Sequence, residues 1–173
     1  MKFEIPFDEN IYREQMILNF NIAWNENLKK NKRNLYWSIP IIIIGGLIVY
    51  GQDYIGFIFI AIGTHFAING FKYYSFYKKT KKKYFDLIES EIQGQKIANE
   101  NSLWEFNKDY FRYKYYKYDA KIKWEAFKSY RVIDKNLFLD LEVGNNSSYI
   151  IGEKEIGNTE LKKVIDFANE KIR

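Results

Sequence analysis

The only histidine of the chain, His65, stands four residues before Asn69, a spacing that puts both side chains on one face of a helix. Inside an apolar stretch such a polar pair could take part in proton or ligand handling. General acid–base or metal chemistry needs further titratable groups converging on the same point, and none is near in sequence. The chain has no Cys, which excludes thiolate metal sites, a Cys nucleophile and a disulfide framework together. A hydrogen bond across helices is therefore the simpler reading of His65 and Asn69. Two acidic pairs, Asp140/Glu142 and Glu153/Glu155, alternate as on a strand face, and solvated strand edges account for both. Gly45-Gly46 lacks the Lys-Ser/Thr context of a phosphate loop. The run from Phe111 to Tyr118 interleaves basic and aromatic residues as nucleic-acid-binding strands can, but the same alternation is what a core strand shows. No catalytic, cofactor-binding or metal-binding residue is assigned, and no nucleic-acid partner is expected.

The elements around these residues are set by hydropathy. A mean hydropathy of -0.43 describes a soluble protein, yet residues 34 to 71 contain no Lys, Arg or Glu and a single charge, Asp53. Leu35 to Tyr50 and Tyr54 to Phe71 each approach the roughly 17–25 apolar residues of a membrane span, with Gly51-Gln52-Asp53 as the break. The second segment meets that length comfortably; the first needs its aromatic ends to lie in the interface. The alternative is a buried hairpin in a soluble protein. The block begins too far from the start for a signal peptide. The net charge of +5 is concentrated at its flanks: Lys29, Lys30, Lys32 and Arg33 precede it, and Lys72, Lys78, Lys79, Lys81, Lys82 and Lys83 follow it. Flanks of this kind resist translocation, so both termini are expected in the cytoplasm and the turn outside, giving a multi-pass protein of the inner membrane. The same basic residues are candidates for lipid headgroup contact.

Within the second segment Gly56, Ile60, Gly63, Ala67 and Gly70 recur at alternating spacings of four and three, a stripe that admits a second helix closely. Ser38 and Gly45 could face it from the first segment, and a homo-oligomer would use the same chemistry. Before the block, Met1 to Phe7 reads as a strand, Asp8 as a helix cap, and Glu9 onward as an amphipathic helix lying in the interface. After it, a basic helix runs to about Gln93. From Ser102 the period changes to two. Strands are expected at 103–107, 110–116, 120–124, 127–132, 137–143 and 149–151, with turns at Asn107-Lys108-Asp109, Asp134-Lys135-Asn136 and Gly144-Asn145-Asn146, and a closing helix from Thr159 to Lys171. The expected class is an α+β membrane protein divided at 1–34, 35–71, 72–98 and 99–173: a two-helix transmembrane hairpin plus a cytoplasmic antiparallel β domain with a C-terminal helix.

The segment Lys121-Ile-Lys-Trp-Glu-Ala-Phe-Lys-Ser-Tyr-Arg-Val-Ile-Asp-Lys-Asn-Leu-Phe-Leu-Asp-Leu, followed by Tyr149-Ile-Ile and a terminal helix, resembles the YcxB-like bacterial membrane proteins. Ile151-Gly-Glu-Lys stands where those proteins carry an Ile-Pro-Lys-like step. The resemblance implies two spans followed by a pleckstrin-homology-like domain, and it implies no activity, cofactor or catalytic residue. The functional expectation is a non-enzymatic, membrane-anchored adaptor or regulatory module with lipid, a protein partner or a second copy as its partner. The alternative is an oligomeric transport or channel component built from the hairpins.

Overall fold

Asp8 starts the first helix. Its Oδ1 accepts from the backbone N–H groups of Asn10 (2.8 Å) and Ile11 (3.0 Å), satisfying donors that a helix N-terminus leaves unpaired. The computed structural model describes residues 1–142 and 148–172. Helix α1 (Glu9–Tyr50) is continuous, so the expected interfacial helix and first span are one element, with Pro40 inside it. The change in hydropathy near residue 34 alters which surroundings suit the side chains, not the backbone's preference, and so it does not end the helix. Gln52, at φ 66°, turns the chain, and Asp53 Oδ1 accepts from Ile55 N (2.9 Å) ahead of α2 (Gly56–Ala98). Asn99, at φ 49°, closes α2 by donating its N–H to Gln95 O (2.9 Å).

The chain forms two compact units, Met1–Leu18 with Ile88–Arg173, and Asn19–Leu87. Their limits fall within α1 and α2.

In the first unit, β1 (Lys2–Ile5), β2 (Ser102–Phe106), β3 (Tyr110–Tyr115) and β4 (Tyr118–Lys123) form one antiparallel sheet in that order. The N-terminal strand pairs with β2, Phe3 opposite Trp104, and the Met1 ammonium donates to Phe106 O (2.9 Å). A second antiparallel sheet contains β5 (Phe127–Ile133), β6 (Asn136–Leu141) and β7 (Ser148–Gly152). Asp134 and Lys135, both at positive φ, make the two-residue β5–β6 turn; this is the primed geometry that suits strand twist. Trp124, expected in a strand, lies in the 3-10 turn Trp124–Ala126, where its Nε1–H donates to Asn107 O (2.9 Å). The residues Glu153 and Glu155, expected on a strand, lie instead in a short helix, α3 (Glu153–Ile156). Helix α4 (Asn158–Lys171) follows. Val143 and the Gly144-Asn145-Asn146 turn lie outside the described residues.

Phe106, Phe111, Trp124 and Phe127 meet Leu137, Leu139 and Ile151 in one core, which Leu161, Val164 and Ala168 of α4 complete. Complete burial of each large side chain contributes about 1.5–3 kcal/mol. The architecture is thus α+β: two long helices, two antiparallel sheets of four and three strands, and a C-terminal helix.

Candidate functional site

In the second unit the small residues set how closely α1 and α2 approach. A Cβ added at Gly45 would lie 2.8 Å from Gly56 O and from Ile60 N, and one added at Gly63 would lie 2.6 Å from Ile42 Cγ1 and 3.0 Å from Ser38 O. At Gly56 the added carbon would collide with the Gly45 carbonyl and the Val49 backbone. Gly70 lies against Leu35, and Ala67 is half-buried. Ser38 is buried and turns its Oγ–H back to Leu35 O (2.6 Å), so its polarity is spent within its own helix. Gly46, beside Gly45, faces open space.

Outside this seam the surface is apolar. Ile43 (57% exposed), Leu47 (66%), Phe57 (55%) and Ile58 (58%) point away from the packed face. Buried contact between two helices cannot account for side chains exposed to this degree. By length and composition α1 can cross a membrane. Helix α2 does not meet the same measure. His65 and Asn69 do form a pair, Asn69 Nδ2 to His65 Nε2 at 2.8 Å, on an exposed face.

Lys29, Lys30, Lys32, Arg33, Lys72, Lys78, Lys79, Lys81, Lys82 and Lys83 are all exposed, and among the described residues none forms an ion pair. Lys32 lies over the Tyr36 ring and Lys78 over Tyr74, at 5.8 and 4.9 Å. Because Gly70 packs on Leu35, Arg33 and Lys72 fall at the same level of the hairpin. From that level to the turn, at 1.5 Å per residue, is about 27 Å, close to the roughly 30 Å of a bilayer's hydrocarbon. Past Lys72 an aromatic layer joins the helices: Phe20, buried, touches Trp24, Tyr77, Tyr84 and Phe85, and Trp24 touches Tyr73 and Phe76.

The first unit holds a cleft of about 430 Å3 that was not anticipated, between α1 and the ends of the second sheet. Gln15 Nε2 donates to Glu155 Oε2 (2.6 Å) and Asn136 Oδ1 (3.3 Å), and Gly152 N donates to Glu155 Oε2 (2.6 Å). Burial pushes the Glu155 carboxyl up, against the opposing pull of the Gly152 and Gln15 hydrogen bonds. Of the charged residues on the rim, Lys154 is paired with Glu14 and Lys135 with Glu153 (3.1 Å). These partners come from elements up to 140 residues apart, so no local pattern announces the site. The Gln15 hydrogen bonds and the Lys154–Glu14 pair brace α1 against the β6 and β7 ends.

The remaining candidates resolve in the same way. Arg131 grips Asp140 through Nε (2.7 Å) and a terminal nitrogen (2.8 Å), and Ser148 Oγ adds a third donor (2.6 Å). Burial raises the Asp140 carboxyl, but these donors outweigh it and hold the group below the usual carboxylate range. On β3, Arg112 is held by Asp119 (2.8 and 2.6 Å) while Phe111 is fully buried, the disposition of a core strand. Tyr115 beside it is pushed up to about 12 by burial and by the Glu91 carboxylate. Among the described residues, no three His, Asp or Glu side chains gather as a metal ion would require.

Compared with known proteins, the chain matches no family model, no curated protein and no solved structure at a significant level.

Proposed function

We propose that the protein is a non-enzymatic, membrane-anchored adaptor or regulatory module whose helical hairpin (35–71) spans the inner membrane with both termini cytoplasmic. The observation that carries this reading is the exposed apolar flank of α1 and α2, which ends in unpaired Lys and Arg at one level of both helices. In water that flank would be an aggregation surface; in lipid it is the anchor. The β domain is then a cytoplasmic module that meets a lipid or protein partner. For this β domain, with sheets of four and three antiparallel strands followed by α3 and α4, we carry forward a pleckstrin-homology-like fold.

Distance decides which basic residues contribute to lipid attraction. Lys78 lies about 9 Å and Lys83 about 16 Å past Lys72 along α2, against a Debye length of about 8 Å at physiological salt. Lys29, Lys30, Lys32, Arg33 and Lys72 are close enough for anionic headgroups to contribute about 1 kcal/mol each, whereas Lys81, Lys82 and Lys83 are mostly screened. Reporter fusions at Lys2, Asp53 and Lys171 test the topology: the expected pattern is inside, outside, inside. A soluble product, or an Asp53 reporter in the cytoplasm, would refute the reading.

A further inference from the structure

We infer that the His65–Asn69 face of α2 is the contact through which two copies of this chain pair within the membrane; the inference rests on the transmembrane reading above. His65 lies two residues after Gly63, about 200° around the helix from the seam with α1, so its face is not used within the chain. Asn69 and His65 lie about 4.5 and 10 Å on the hydrocarbon side of Lys72. Polar side chains at such depths face protein or water rather than lipid.

The internal hydrogen bond sharpens the argument. In the neutral tautomer that accepts the Asn69 amide N–H at Nε2, the ring's own N–H is Nδ1–H. Nδ1–H, the second N–H of the Asn69 amide and the acceptor Asn69 Oδ1 then remain, and none has a partner among the described residues. A two-fold axis matches the imidazole donor to the amide acceptor: Nδ1–H of each copy donates to Oδ1 of the other, the self-complementarity that an isologous contact requires. Ala61, exposed one turn from His65, has only a methyl group there, so a second α2 can come close on that side. An unrelated helix would have to bring an acceptor and a donor of its own to these two positions, whereas a second copy supplies both by symmetry.

The chain has no Cys, so a single introduced one reports without background. Full-length Ala61→Cys is oxidised mildly in native membranes and compared with Ile43→Cys, exposed on α1. Ala61→Cys is expected to cross-link to twice the chain mass and Ile43→Cys to remain monomeric. Adding His65→Leu and Asn69→Leu, which leaves a more apolar span and does not threaten insertion, should reduce the dimer about tenfold, in keeping with two interhelical hydrogen bonds of about 0.6 kcal/mol each. Membrane-bound but monomeric Ala61→Cys, a cross-link to a different protein, or a dimer that survives both Leu substitutions would overturn the pairing while leaving the anchor intact. Recovery of the chain in the soluble fraction would overturn the anchor and the pairing together.

Discussion

Gly45 and Gly46 are adjacent in α1 and identical in chemistry, yet the fold predicts opposite responses to the same substitution. In a helix interior, Gly→Ala is worth about 1 kcal/mol in favour of Ala. At Gly46 nothing lies within 4 Å of the added carbon, so Gly46→Ala should stabilise the hairpin by about that amount. At Gly45 the carbon would be 2.8 Å from Gly56 O, Ile60 N and Ile60 Cγ1; two of these are backbone atoms and cannot rotate away. Overpacking of this kind costs about 1–3 kcal/mol, so Gly45→Ala should come out near neutral to about 2 kcal/mol destabilised. The two neighbours then differ by about 1–3 kcal/mol, or roughly five- to 150-fold in an opening equilibrium. Hydrogen exchange of α1 and α2 amides in the full-length protein in lipid nanodiscs reads that ratio locally, without requiring the whole chain to unfold in one step. Equal protection in the two variants would refute the seam, because it would mean that Gly45 is as open as Gly46.

Other consequences can be measured directly. Trp124→Phe keeps the ring in the core but removes the bond to Asn107 O, and calorimetry should show a loss of about 1–2 kcal/mol. Asp140→Asn should cost a similar amount, toward the lower end because Arg131 is 39% exposed. Since the folded carboxyl of Asp140 is held low, its contribution is complete above the ordinary Asp value near 3.9 and disappears as pH falls through the lower folded value; the variant's deficit should shrink in an acid titration. Glu155 has the opposite sign. Its raised folded value means that stability is intact below the unfolded value near 4.3 and declines as pH rises through the folded one, so Glu155→Gln should be as stable as the parent in acid and more stable at neutral pH. In anionic nanodiscs, replacing Lys29, Lys30, Lys32 and Lys72 by Gln should lower the melting temperature more than replacing Lys79, Lys81, Lys82 and Lys83, and the difference should close at 1 M salt.

The hairpin was legible because its signal is local. Glycines at spacings of four and three, an uncharged run and basic ends are all visible within a few helical turns. The second sheet was legible for the same reason: Asp134 and Lys135 carry the chemistry of a tight turn between two apolar runs. Pairings across long separations left no comparable mark. Phe3 and Ile5 alternate as a strand should, but nothing in Lys2–Ile5 says that its neighbour is β2, some hundred residues on. Glu155 looked like a strand-edge carboxylate because its partner Gln15 lies 140 residues away, and because α3 is too short to display a helical period. The uninterrupted course of α1 past Pro40 was hidden by a change in hydropathy that mimics a boundary between elements.

The position of β1 has a mechanical consequence. The chain leaves the first sheet after Ile5 and returns at Ser102, so the hairpin is an insertion between two strands that must pair. Closing a flexible loop of that length would cost entropy with nothing gained until it shut. Two antiparallel helices joined by a short turn bring their own far ends together, which removes most of that cost. The first unit then fixes the ends: Glu9 and Arg13 of α1 are ion-paired with Lys96 and Glu89 of α2. Glu91 of α2 is paired with Lys117 at the β3–β4 turn, and Gln15 of α1 holds Glu155. Loosening the ends of α1 and α2 therefore strains the β1–β2 ladder, while the β5–β6 ladder has no covalent share in the insertion. Truncation after Ile5 is the direct check: deleting residues 1–5 should raise hydrogen exchange in β2 while sparing β6. Unchanged protection of β2 would mean that the ladder is held without its edge strand, and that the insertion carries no mechanical load.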